Sequence, residues 1–469
     1  MTSNNNPWGM PSDDGSNPFE EFFKKLSENG FPGAQGNPAE WPLDPEQMKN
    51  MGIPIDPAQI AAVFSGLTSM SANTSADEPV NWELARSHAH QTLAQGEDPQ
   101  ITSAQKSAVA DAIQLAQLWV NPATAFSPTG YPTESWSKAD YVNNTFDIFQ
   151  EIAGPIATSL SEAMNQSMSE QLPEEIKHLL GGQTNILSGV GGMMFGIQAG
   201  QAIGRLAQEV VSSTDVGLPM AEGRSALLPS AIKDFGDGLE IPPQEVMIYL
   251  AVREVALTRL YKAATWLRED IVALIKRYAR GIHVDIERMQ QEAEQIDIMD
   301  QEALQIAFSS NIFTPQNTED QKLALERLEI LLALVEGWVT IVAEDATKNL
   351  PMSSQLAEVM NRRHAVGGPT EHIFAALLGL ELHPRKNREA AQFWRHYTQE
   401  HGMEARDQLW EAPEMLPTLE ELDNPEAYAS RTALVTASED EFDAALEKLL
   451  SGGYDQPEDT SEDDDKPQA

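Results

Sequence analysis

From Trp82 onward, apolar residues recur three and four positions apart, the spacing of one helix face. This period predicts helices over residues 82–93, 104–120, 136–168 with a break at Pro155, and 174–180. Residues 243–281 predict one or two long helices, 319–347 another, and 352–366 and 385–401 two more. Strand-type alternation is sparse, so the pattern predicts a mainly α fold. Residues 1–78 are rich in Asn, Pro, Gly, Ser and Asp and hold no sustained period. They predict a disordered N-terminal region, with a short helix at most where Asn17-Pro18-Phe19 leads into residues 20–26. A helical domain is expected over 79–430, then a short helix and an acidic tail over 431–469. The last eighteen residues hold seven acids against one lysine.

Between Lys177 and Arg205 no residue carries a formal charge, and Gly192, Gly196, Gly200 and Gly204 recur every four positions. Glycines at that spacing clear one helix face for the close approach of another backbone. The length would suit a membrane span, but Gln183, Asn185, Gln198 and Gln201 interrupt it and no basic flank accompanies it. A glycine-faced helix buried in a soluble fold is the expectation.

A second anomaly is Glu336, which interrupts Ile330-Leu331-Leu332-Ala333-Leu334-Val335 before Gly337-Trp338-Val339-Thr340-Ile341-Val342. The run should be buried on most faces. A carboxylate there must be protonated, meet a cation, or turn outward to solvent.

Residues 252–267 read Val-Arg-Glu-Val-Ala-Leu-Thr-Arg-Leu-Tyr-Lys-Ala-Ala-Thr-Trp-Leu. Around them, in order, stand Gly191-Gly192-Met193-Met194-Phe195-Gly196, Ser213-Thr214-Asp215-Val216-Gly217-Leu218-Pro219, Leu334-Val335-Glu336-Gly337-Trp338-Val339, Gly367-Gly368-Pro369 and Leu378-Gly379-Leu380-Glu381-Leu382. Together these segments resemble a bacterial zincin-like family of zinc metallopeptidases associated with deazaflavin-cofactor biosynthesis. The resemblance covers roughly residues 80–430 and implies a zincin-like helical domain.

A zincin holds zinc with two histidines four residues apart on one helix, and the intervening glutamate activates a metal-bound water. Here the histidine positions read Arg253 and Leu257, neither a zinc ligand, while Glu254 survives where the general base would stand. The resemblance also implies a third ligand at Glu336, with Trp338 in place of a family histidine. The expected protein is therefore a pseudo-metallopeptidase with no cofactor, in which Glu254 is vestigial and Arg253 forms a buried ion pair with Glu336. It would bind a peptide, protein or small-molecule ligand in the old cleft. The alternatives are an active zinc-dependent metallopeptidase or hydrolase with another ligand set, and an assembly scaffold joined through residues 19–26 or the tail.

Histidines offer no obvious replacement set: His88 and His90 lie on different helix faces, His364 and His372 flank the Gly367-Gly368-Pro369 turn, His396 and His401 are five apart, and His283 is single. All are expected to be ordinary surface or core residues. Arg385, Lys386, Arg388 and Arg395 form a local basic patch, expected to be a solvated helix face.

Composition narrows the picture further. The net charge of −41 disfavours nucleic acid and anionic membranes, both of which need clustered cations. The absence of cysteine excludes disulfides and thiolate metal sites. With no secretory signal pattern at residues 1–7, a cytoplasmic location is expected. There is no Walker loop and no Gly-x-Ser-x-Gly elbow, and the dinucleotide-like Gly189-Val190-Gly191 fails at Met194.

Overall fold

A computed structural model describes residues 80–171, 184–282, 318–378 and 386–436. The fold is mainly α-helical. The expected helix at 174–180, the segment 17–26, His283, Arg385 and the acidic tail lie outside the described residues.

Helices α1 (Trp82–Leu93), α2 (Ser103–Val120), α3 (Lys138–Gln171) and α4 (Thr184–Glu209) form the first half of the described fold. The second half contains α5 (Pro229–Gly236), α6 (Pro243–Ala263), α7 (Thr265–Ala279), α8 (Glu319–Ala346), α9 (Ser353–Ala365), α10 (Pro369–Leu378) and α11 (Asn387–Gln408), closed by α12 (Leu419–Asp423) and α13 (Pro425–Thr436). Strands β1 (Thr133–Ser135) and β2 (Ser225–Leu227) pair in parallel with Glu134 opposite Ala226. Three-residue strands contain too few positions to show alternation, which is why the sequence pattern missed them.

Local chemistry sets several boundaries. At the starts of α2 and α8, Thr102 with Gln105 and Thr318 with Gln321 each form a reciprocal capping box. Residues 243–281 divide into two helices at Ala264, whose ψ of 71° is not helical. The expected break at Pro155 is absent, because α3 runs through it. Proline forfeits one donor and crowds the carbonyl four residues back, a cost that the packing of this 34-residue helix against α4 and α7 offsets. α11 continues past His401, turning at Gly402, where φ is 86°. α10 starts after Gly367, whose φ of 91° suits glycine alone, and Pro369 then supplies a first residue needing no partner for its missing N–H.

The four-spaced glycines pack α4 onto α1. A Cβ on Gly204 would lie 2.7 Å from the Ala89 carbonyl oxygen, and one on Gly200 would collide with that of Ala85. Gly337 does the same for α8 against α11, at 2.7 Å from the Ala391 nitrogen. α6 is buried on nearly every face, packing against α2, α5, α8 and α9. Among the described residues no helix is long and apolar enough to cross a membrane.

Candidate functional site

Because α6 and α8 are both buried and adjacent, the polar residues within them meet. A narrow cleft, open at its mouth, follows their junction. One wall is the α6 stripe Leu250, Arg253, Glu254 and Leu257; the other is the α8 stripe Glu329, Leu332, Ala333 and Glu336. The loop at 211–217 and the α9–α10 corner, with His364, Thr370 and Glu371, close the remaining sides.

Arg253 and Glu336 face each other across the cleft floor. One guanidinium nitrogen, Nη2, donates to both Glu336 carboxylate oxygens at 2.9 and 2.7 Å. The side chains are 8% and 18% exposed, so solvent screens the pair weakly. Thr340 Oγ1 donates to Glu336 Oε1 at 3.2 Å, and His364 Nδ1 lies 3.1 Å from the same oxygen. Burial alone would raise the Glu336 carboxyl, but Arg253 and then His364 hold it down at about 2. Burial also works against the Arg253 charge, and Glu336, with Tyr249 and Asp215, more than offsets it. Tyr249, one turn before Arg253, is buried, which pushes its hydroxyl up to about 12, with the Arg253 charge pulling the other way.

Glu254 points the other way, into the wall. Its Oε2 accepts from the Thr214 amide and hydroxyl at 3.2 and 2.5 Å. Its Oε1 accepts from Ser213 Oγ at 2.5 Å, Ser225 Oγ at 3.3 Å and the Ala226 amide at 3.1 Å. Fully buried, its carboxyl is raised by desolvation, with these donors pulling the other way. Five donors saturate both oxygens and join α6 to the 211–217 loop and to β2.

The same loop is held from the opposite side. Arg363 grips Asp215 in a two-point pair at 3.0 and 2.8 Å, and Asp215 Oδ2 also accepts from the Val211 amide. Arg363 and His364 are consecutive, so the end of α9 reaches both the loop and Glu336. Sequence reading placed His364 beside a turn as an ordinary residue; the structure corrects this by putting it in the cleft on Glu336. Tyr249, Asp215 and Arg363 were also missed as site residues. Tyr249, four residues before Arg253, and Asp215, inside a family-like motif, were the available signals.

The remaining candidates fall elsewhere. Leu257 lines the cleft one turn after Arg253 and presents only carbon. Trp338 turns into the core, giving its indole N–H to Asp407 at 2.8 Å. His90 meets Asn143, His372 meets Glu209, and His396 and His401 lie near Glu400. His88 lies on α1 against α4, its Cβ beside Gly200. The basic patch is partly neutralised, since Lys386 pairs with Asp423 and Arg395 with Glu344.

A family model described as zincin-like metallopeptidase matches residues 80–429, and the chain belongs to that family. Its fold is also similar to a crystal structure from Chloroflexus aurantiacus described as "a putative hydrolase with a novel fold". That likeness has a TM-score of 0.54 and 18% identity, and covers 75% of this chain and 98% of the other. At that identity it speaks for the fold alone. No curated protein matches.

The family implies zinc, and the residues here do not fit it. Leu257 offers no lone pair, Arg253 brings a cation to the carboxylate, and Glu254 is saturated by protein donors. Glu336 and His364 remain as a pair of donors 3.1 Å apart, and among the described residues no group of three His, Cys, Asp or Glu could hold a metal.

Proposed function

We propose that this chain is a catalytically degenerate member of its family, which binds a peptide, protein or small-molecule ligand in the α6–α8 cleft without hydrolysing it. The observation that carries this reading is the Arg253 guanidinium seated on both oxygens of Glu336. It supplies a fixed positive charge where a zincin would use zinc, but it has no open coordination position to activate water. Glu254 cannot stand in as base, since its oxygens anchor the 211–217 loop. The cleft keeps apolar walls and several polar groups, the usual make-up of a ligand site.

A thermal-shift screen of peptides and small polar molecules tests this. A true ligand raises Tm, the rise survives a metal chelator, and Thr370→Trp, which fills the cleft mouth, abolishes it. Peptide hydrolysis that a chelator stops would overturn the proposal.

A further inference from the structure

We infer that the C-terminal turn of α9 is a latch over the cleft, which opens by swinging on Gly367. α9 packs against both cleft walls, α6 and α8. Of its 13 residues only Leu356 and Met360 are buried, so its apolar anchorage is slight. Its far end is held by polar contacts to two separate parts of the cleft. Arg363 pairs with Asp215 on the loop that forms one side, and the next residue, His364, lies on Glu336 at the floor. Arg363 also donates to the Glu209 carbonyl at the end of α4.

In the turn that follows, Gly367 is the free position, while Gly368 is buried and gives its amide to Glu371 at 2.8 Å. Gly367 has a φ of 91°, a region glycine enters freely, and no atom lies closer than 3.7 Å to where its Cβ would stand. Val366, just before it, is 84% exposed, so the α9 side of the corner has no hydrophobic fastening, while the buried Pro369 fixes the α10 side. Two polar clasps on a weakly anchored helix end beside Gly367 make a closure that can release as a unit.

The latch rests on the cleft being the binding site, but its test needs no ligand. The chain has no cysteine, so Leu257→Cys places a single thiol at the cleft wall. Its labelling rate by a maleimide reports opening. Adding Arg363→Gln with His364→Gln should speed labelling at least about tenfold, as expected for losing one or two charge-assisted bonds. Arg362→Gln, which breaks only the surface contact to Glu358, should leave the rate unchanged. Leu260→Cys, fully buried on the same helix and not on the cleft wall, reports whole-molecule unfolding. An unchanged Leu257→Cys rate in the latch variant, or equal acceleration at Leu260→Cys, would overturn the latch. Ligand binding could fail with the latch intact, and the reverse, so the two readings are separable.

Discussion

Arg253 and Glu336, 83 residues apart, meet through one nitrogen that donates to both carboxylate oxygens, the shorter bond at 2.7 Å. Removing either partner strands a charge in a poorly solvated floor. Losing one member of a buried pair typically costs about 3–5 kcal/mol. Arg253→Ala should therefore lower stability by an amount in that range in urea unfolding. Arg388→Ala, at an exposed position, should stay within about 0.5 kcal/mol. Equal losses would remove the pair from the account.

Acid should weaken the same contact. Glu336 has its carboxyl depressed to about 2, against roughly 4.3 in an unfolded chain. A depressed acid contributes stability that is complete above its unfolded value and is lost as pH falls toward its folded one. The parent should thus lose stability between about pH 5 and pH 2 more steeply than Glu336→Gln, which has no proton to take up there. Parallel pH–stability curves for the two proteins would contradict this.

Glu254 provides a test of structural against catalytic use. Glu254→Ala removes the acceptor shared by Ser213, Thr214, Ser225 and Ala226 in a buried wall, where only the Thr214 and Ala226 amides keep a second, 3.4 Å contact, to Ser212 and Ser213. It should cost on the order of 3 kcal/mol or more and raise amide exchange across residues 211–217. A purely catalytic base, by contrast, could be removed with folding stability intact.

Glycine substitutions separate packing from propensity. Gly154 has nothing within 4 Å of a would-be Cβ beyond its chain neighbours, but Pro155 follows it and crowds a helical Cβ at that position, so Gly154→Ala should change stability by less than about 1 kcal/mol. Gly200→Ala drives a methyl onto the Ala85 carbonyl and should destabilise despite the same propensity gain. Thermal unfolding should place Gly154→Ala close to the parent and Gly200→Ala clearly below both.

Much of this was readable from the chain. Apolar period located α6 and α8, the four-spaced glycines marked α4 as a close-packed helix, and the interrupted run around Glu336 marked an awkward carboxylate. His364 was not readable, because its place on Glu336 depends on how α9 crosses two helices distant in sequence. The same holds for Arg363 on Asp215, 148 residues apart. Pro155 misled because helix-breaking is a local tendency, and α3 is held by its neighbours. Glu254 kept the residue type of a general base, and sequence could not show that hydroxyls and amides fill both of its oxygens.

The central claim is that a guanidinium stands where the family's metal would. Zinc titration by calorimetry, with elemental analysis of protein purified without added metal, tests it most directly. The parent should carry well below one equivalent of zinc and show no tight uptake. Arg253→His with Leu257→His, which returns two imidazoles one turn apart beside Glu336, should take up about one equivalent. Near-stoichiometric zinc in the parent, bound tightly enough to survive dialysis, would contradict the account.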